Sequence, residues 1–177
     1  MPCRRLPACC VAFALLVCTA AFGADAAAEI RALITRADLP AALERAERAV
    51  AAKPKDAPLR FLRAVVLMDM QRDAEALVQF TELSQEYPEL PDPYNNIALL
   101  LARSGRLNEA LQALHAALRN DPGHRTARAN LGQVHLMLAV QAWEQASAGA
   151  SVQDASLLRR LEGARALLAP PPARPAR

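Results

Sequence analysis

A repeat at a fixed interval is the feature that most restricts the folds open to this sequence. Proline follows three similar segments, at the equally spaced positions Pro54, Pro88 and Pro122. Each segment begins with an Ala-Leu pair, and the pairs have the same spacing as the prolines: Ala42-Leu43, Ala76-Leu77 and Ala110-Leu111. A constant period of about 34 residues is typical of repeat proteins, in which each unit packs mainly against its neighbours.

The pattern inside each period predicts helices. Leu77, Phe80 and Leu83 recur at three-residue steps, which places them on one side of a helix. Small residues occupy matching positions on the preceding helices, where they would let paired helices approach closely. These residues are Ala64, Ala98 and Gly132.

Local signals predict where several helices begin and end. Three aspartates precede or adjoin a proline and are predicted N-caps, because the carboxylate can accept from free backbone N–H groups and proline suits the first turn. The pairs are Asp38 with Pro40, Asp56 with Pro58 and Asp92 with Pro93. Gly105 is predicted to end one helix in the left-handed conformation.

Composition favours an all-α protein with room for one domain. The chain has 177 residues, of which 53% are hydrophobic, only 4% are aromatic and six are glycine. Its formal charge is +3, and it falls to +1 without the first 23 residues, because Arg4 and Arg5 are then lost and no acid is. Such a small charge does not favour nucleic acid as a partner.

The sequence resembles the tetratricopeptide repeat (TPR) family, whose 34-residue unit is a helix–turn–helix. Residues 91–124 fit the motif best, whereas residues 57–90 carry Arg60 and Arg63 where apolar residues are usual. The matching residues in 91–124 are Tyr94, Ile97, Ala98, Leu101, Gly105, Ala110, Leu114, Ala117 and Pro122. The resemblance covers residues 27 to about 140 and implies a right-handed superhelix of stacked repeats, at about 23–56, 57–90 and 91–124.

The period fails after residue 135. A long helix is predicted from 125 to about 147, followed by a capping helix from about 152 to 168, so the helical domain would span 27–168. The capping helix would turn one apolar side inward: Leu157, Leu158, Leu161, Ala164, Leu167 and Leu168. The proline-rich tail, 169–177, is predicted to be disordered from its composition.

The resemblance also implies a concave groove lined by the first helix of each repeat. In the family, an asparagine in the position of Asn96 often binds the backbone of an extended peptide, and Asn130 occupies that position one repeat later. The candidate peptide-binding residues are Asn95, Asn96, Asn130, Phe61, Met68 and Gln133. The other groove positions are Val65, Leu99, Ala102, Ala129 and Leu136. Whether the asparagines bind a partner or the protein's own loops stays open at this stage.

This groove would suit an apolar segment. The family's clamp for a terminal carboxylate requires lysines and an arginine, and the matching positions here include Phe61, Val65 and Thr126. We therefore do not expect this chain to bind the acidic tails of chaperones.

Nothing in the sequence indicates catalysis. The histidines, His115, His124 and His135, are separated, and no metal-ligand spacing, glycine-rich phosphate loop or nucleophile with an evident base is present. We expect no enzyme, no metal, no cofactor and no small-molecule substrate. The expected partner is a protein or peptide.

The first residues resemble an export signal. Arg4 and Arg5 precede an apolar run, Ala8 to Cys18, and small residues follow. All four cysteines lie within this segment: Cys3, Cys9, Cys10 and Cys18. Cleavage is expected after Gly23 or Ala26. An uncleaved anchor over residues 8–24 and a lipid on Cys18 are the alternatives, and only these would bring the protein to a membrane.

Two functions are consistent with this sequence. The first is a periplasmic adaptor or scaffold that binds an extended or helical segment of an envelope protein in its groove. The alternative is a permanent subunit or assembly factor of an envelope complex, held at the inner membrane by an uncleaved N-terminus.

The export signal leads to a direct prediction. Amino-terminal sequencing of the native protein should read from Ala24 or Ala27, because the small-x-small rule permits cleavage at either position. An intact Met1 would contradict the cleavage, and a diacylated Cys18 would replace it with a lipoprotein.

Overall fold

The structure, a computed structural model, describes residues 26–148 and 154–169. The proposed signal and the tail from residue 170 lie outside these residues. The described part is helical, with no strand, which confirms the all-α prediction. Its helices are α1 (residues 26–35), α2 (Leu39–Ala52), α3 (Ala57–Asp69), α4 (Asp73–Glu86), α5 (Pro91–Arg103), α6 (Leu107–Asn120), α7 (Arg125–Ala148) and α8 (Ala155–Leu168).

The helix boundaries repeat with the period of the sequence. The second helices of the pairs, α2, α4 and α6, begin at the equally spaced residues Leu39, Asp73 and Leu107. The helices α3, α5 and α7 begin at Ala57, Pro91 and Arg125 with the same interval. The predicted helix–turn–helix arrangement is therefore confirmed.

The described chain falls into two compact units, which divide between Tyr87 and Pro88. In unit 1, a core forms among α1, α2 and α3 around Ile30, Ala46 and Leu62. In unit 2, α5, α6 and α7 share a core that includes Ala98 and Leu114. Burial of these apolar side chains supplies the main stabilisation within each unit.

Two of the three predicted aspartate caps are confirmed. The Asp38 carboxylate accepts from the backbone N–H of Ala41 at 3.3 Å, and Asp56 accepts from that of Leu59 at 3.1 Å. The prediction for Asp92 is wrong, because α5 already begins at Pro91 and its N-cap is Leu90. Proline suits the first helical position, because its φ is already helical and the N–H that it lacks would have no partner within the helix, so the helix can begin before the aspartate.

The turn inside each repeat uses a left-handed residue. Gly105 has φ +76°, as predicted, and Ala37 and Gln71 take the same conformation with φ of 58° and 60°. These three positions are separated by the same interval as the prolines and the helix starts. The non-glycine residues carry a backbone cost of about 1–2 kcal/mol, which glycine avoids. The repeat geometry is therefore kept even where the favoured residue is absent.

The misfit of Arg60 and Arg63 with the repeat motif is explained by polar contacts between α3 and α4. Arg60 donates to both carboxylate oxygens of Glu86 at 2.5 and 3.0 Å, and Arg63 donates to the Gln79 amide oxygen at 2.8 Å. The hydrogen bond from Arg60 lowers the pKa of the Glu86 carboxyl. This polar seam lies where apolar residues are usual in the repeat.

The last two helices also match the expected order. α7 has 24 residues, about 36 Å at ~1.5 Å per residue. α8 packs against α7 with Leu161 and Ala164 buried, and Arg165 donates to Glu144 at 2.5 Å. Leu167, predicted on the inner side, is 76% exposed, so that part of the prediction is wrong.

The small residues at matching positions behave differently. Ala64 and Ala98 are buried, as predicted, but Gly132 is exposed and a Cβ built there meets no atom within 4 Å. The prediction of close packing at Gly132 is therefore wrong, because no helix of the described chain covers that side of α7.

These two environments predict opposite mutational effects. Ala98→Leu should lower the free energy of unfolding by ~1–3 kcal/mol through overpacking. Gly132→Ala should raise the free energy of unfolding by ~0.5–1 kcal/mol, because alanine restricts the unfolded chain more than glycine does and its Cβ has room at this open position of the helix. Chemical denaturation of the two variants beside the unsubstituted chain measures both effects. A loss of stability in Gly132→Ala would contradict the open environment of that residue.

Candidate functional site

A concave pocket of ≈ 210 Å³ lies in unit 2, between α5 and α7 and next to α6. Its lining combines apolar residues with three polar side chains. The lining residues are Ala98, Leu99, Ala102 and Arg103 from α5, Leu114 from α6, and Asn130, Gln133, Val134 and Met137 from α7.

Helical spacing explains why these residues share one cavity. The four residues from α7 follow one another at steps of three, one and three, which places them on one side of that helix. On α5, Ala98 and Ala102 are one turn apart. Ala98 is buried in the core, whereas the short side chain of the half-buried Ala102 leaves space that a larger residue would fill. Leu114, fully buried, contributes from α6.

An asparagine pair connects the two walls of this pocket. Asn130 donates through Nδ2 to the Asn95 Oδ1 at 2.8 Å, which links α7 to α5. Asn95 is 5% exposed, and its neighbour Asn96 is also buried, at 8%. A buried amide without a partner is costly, so this bond supports both the position of α7 and the orientation of the Asn130 amide.

A histidine forms a second connection between the same helices. The His124 Nδ1 accepts from the backbone N–H of Ala127 at 3.1 Å, so this nitrogen carries no proton and Nε2 carries one. Nε2–H donates to the Asp92 carboxylate at 3.0 Å. His124 thus caps the start of α7 and binds the first turn of α5. Asp92, which is not an N-cap, instead accepts this hydrogen bond from His124.

The structure brings together only part of the predicted set of site residues. In unit 2, Asn130 and the exposed Gln133 line the pocket, and Asn95 is bonded to Asn130. In unit 1, the Phe61 ring packs against the Phe80 ring with centroids 5.5 Å apart, and Met68 lies half-buried on the same helix as Phe61. Their joint role as a peptide-binding set remains a prediction.

Five lining residues were missing from the predicted groove: Ala98, Arg103, Leu114, Val134 and Met137. Leu114, which matches the repeat motif, is both core and pocket wall. The one signal in the sequence was the alanine at 102, since a short side chain on an inward face can leave a gap. The other predicted groove positions on α7, Ala129 and Leu136, lie outside the lining.

No group of three or more metal-ligating side chains comes together in residues 26–148 and 154–169. No helix in this part of the chain has the length and apolarity to span a membrane. His115 and His135 are both exposed.

Comparisons with known proteins relate the chain to TPR proteins. No family model matches the sequence. The TPR repeat-containing protein YvcD of Bacillus subtilis (strain 168) is 38% identical over 69 residues, which are 39% of this chain and 14% of the relative. The match thus spans about one seventh of that protein.

Solved structures show the same fold. The first TPR of Spaghetti (RPAP3), bound to the HSP90 peptide SRMEEVD, aligns with a TM-score of 0.61 and 15% identity, over 66% of this chain and 93% of that one. YrrB, described as a TPR protein with an unusual peptide-binding site, aligns with a TM-score of 0.55 and 26% identity, over 59% of this chain and 54% of that one. The described helices therefore have the fold of TPR repeats.

Proposed function

We propose that this chain is a non-enzymatic protein-interaction module, a periplasmic adaptor or scaffold that binds an extended or helical segment of an envelope protein. The observation that carries the proposal is the pocket between α5 and α7, which combines an apolar interior with the amides of Asn130 and Gln133. A small apolar cavity with a few polar groups is a common form of recognition site.

The polar groups suit a peptide backbone. An amide side chain offers one carbonyl and two N–H donors, and in Asn130 one N–H is already bonded to Asn95. The Asn130 carbonyl, its second N–H and the Gln133 amide are left to bind a partner's backbone groups.

The solved TPR structures support peptide binding but with a different ligand chemistry. The RPAP3 domain binds the acidic peptide SRMEEVD. The pocket here is lined by six apolar residues, so it favours an apolar side chain rather than a cluster of carboxylates. Localisation in the periplasm rests on the signal-like first residues alone.

The alternative function, a permanent subunit, predicts a broad apolar surface within a unit. Among the described residues, the large hydrophobic side chains that are strongly exposed are Val78, in unit 1, and Leu167, in unit 2. A single exposed residue in each unit does not make a broad apolar surface, so this observation favours the adaptor over the permanent subunit.

Site-specific photo-crosslinking tests the proposal. A benzoylphenylalanine at position 133, in cells that express the full chain, should give a defined adduct with another protein, because Gln133 is exposed at the pocket. The matched control is position 115, since His115 is also exposed, on α6, but lies outside the pocket lining. Adducts from position 115 and none from position 133 would contradict this site.

A further inference from the structure

His124 holds the start of α7 with one ring nitrogen and the start of α5 with the other. It directly precedes α7, and its backbone carbonyl accepts from the Arg128 N–H at 3.1 Å, which is the first backbone bond of that helix. Its Nδ1 accepts from the Ala127 N–H, and its Nε2–H donates to Asp92. A side chain that accepts from the third residue of a helix is an N-cap, so a histidine occupies a position where serine, threonine, aspartate or asparagine is usual.

This cap requires a neutral imidazole. Nδ1 accepts a hydrogen bond only while it carries no proton, and a charged ring has an N–H group at both nitrogens. The Nδ1–H of a charged His124 would face the Ala127 N–H, donor against donor, at the end of the helix where the macrodipole disfavours a cation. Ala127 is fully buried, so water cannot replace the lost acceptor unless the first turn of α7 opens.

The bond to α5 responds to protonation in the opposite sense. Nε2 carries a proton in both forms of the ring, so its hydrogen bond to Asp92 persists and becomes an ion pair when His124 is charged. The Asp92 side chain is 64% exposed, so water screens the added attraction. Protonation therefore keeps His124 bound to α5 and removes it from α7.

Histidine is the side chain whose charge normally changes between about pH 5 and 8, so His124 is the group of this region that responds to mild acid. The Asp121 carboxylate accepts from the Gly123 N–H, and Arg128 donates to the Pro122 carbonyl, so both side chains are bound within the turn before α7. Charged or titratable side chains on the adjoining parts of α5, α6 and α7, besides Asp92, are Glu89, Tyr94, Arg119, Asp121, Arg125 and Arg128.

We propose that His124 is a pH-dependent latch of α7. The neutral ring caps the helix, whereas the charged ring binds Asp92 alone and releases the cap. Mild acid therefore frees the first turn of the helix whose next turn carries Asn130, part of the pocket wall. This inference concerns the chain by itself and does not rest on the proposed function.

Nuclear magnetic resonance of the ¹⁵N-labelled full chain follows the latch from about pH 8 to pH 5. At the upper end the His124 ring should be the Nε2–H tautomer, because Nδ1 is the acceptor in the structure. As His124 becomes charged, the hydrogen-exchange protection of the Ala127 amide, corrected for the intrinsic effect of pH, should fall roughly fivefold, as expected for the loss of one N-cap. The exposed His115 and His135 are internal controls, because their protonation should leave that amide unchanged.

Two variants separate the cap from the charge. His124→Asn keeps a capping side chain that does not titrate, so the protection of the Ala127 amide should stay constant across this pH range. Asp92→Asn removes the carboxylate that favours the charged ring, so the protonation of His124 and the loss of protection should both move to lower pH. Thermal melts of both variants at the upper pH verify that the fold is kept.

A loss of Ala127 protection that follows the charge of His124 and disappears in His124→Asn supports the inference. A neutral Nδ1–H tautomer, constant protection in the unsubstituted chain, a loss that persists in His124→Asn, or an unchanged transition in Asp92→Asn overturns it. These measurements involve no partner, whereas the crosslink from position 133 requires one. Failure of the latch therefore leaves the interaction function intact, and absence of the crosslink leaves the latch intact.

Discussion

The distance between α5 and α7 is the constraint on which the candidate site depends. The pocket exists because these helices are held near each other at one end, by the His124–Asp92 and Asn130–Asn95 bonds, while short side chains leave space beyond. Both bonds are between side chains, and one of the partners in the second is almost fully buried. Polar contacts of this kind specify one arrangement, because a shifted helix would leave a buried amide unpaired.

The same polar groups limit what the site can offer to a partner. One Asn130 N–H and the Asn95 oxygen are used inside the protein, so recognition falls to the remaining groups of Asn130 and to Gln133. The sequence left open whether the asparagines bind a partner or the protein itself, and the answer differs between these residues. Asn95 binds within the protein and Asn96 is buried outside the pocket lining, whereas part of Asn130 remains available for the predicted contact with a backbone.

Much of the fold could be predicted because the residues that define the period also meet local requirements of the backbone. Prolines after helices, aspartates at Asp38 and Asp56, and glycine at Gly105 each act locally, and each was found where the sequence indicated. Gly132 and Leu167 were mispredicted because their environments depend on which helix covers them, and periodicity alone does not supply that. The left-handed Ala37 and Gln71 carried no signal, since neither residue type favours positive φ.

The site was less predictable than the fold for a related reason. A groove position can be carried over from a repeat motif, but a cavity arises from the combined volumes of residues on three helices. Leu114 and Met137 looked like ordinary core residues in the sequence. The capping role of His124 required the structure as well, because its two partners are 3 and 32 residues away.

A double-mutant cycle on Asn95 and Asn130 tests most directly whether this bond holds the walls of the pocket. The free energy of unfolding is measured for Asn95→Ala, Asn130→Ala and the double variant. The account predicts that the sum of the two single losses of unfolding free energy exceeds the loss in the double variant. The difference, the coupling energy, should be about 0.5–1.5 kcal/mol, as expected for a neutral hydrogen bond. Single effects that add to within ~0.3 kcal/mol would contradict the bond and the arrangement of α5 and α7 that depends on it.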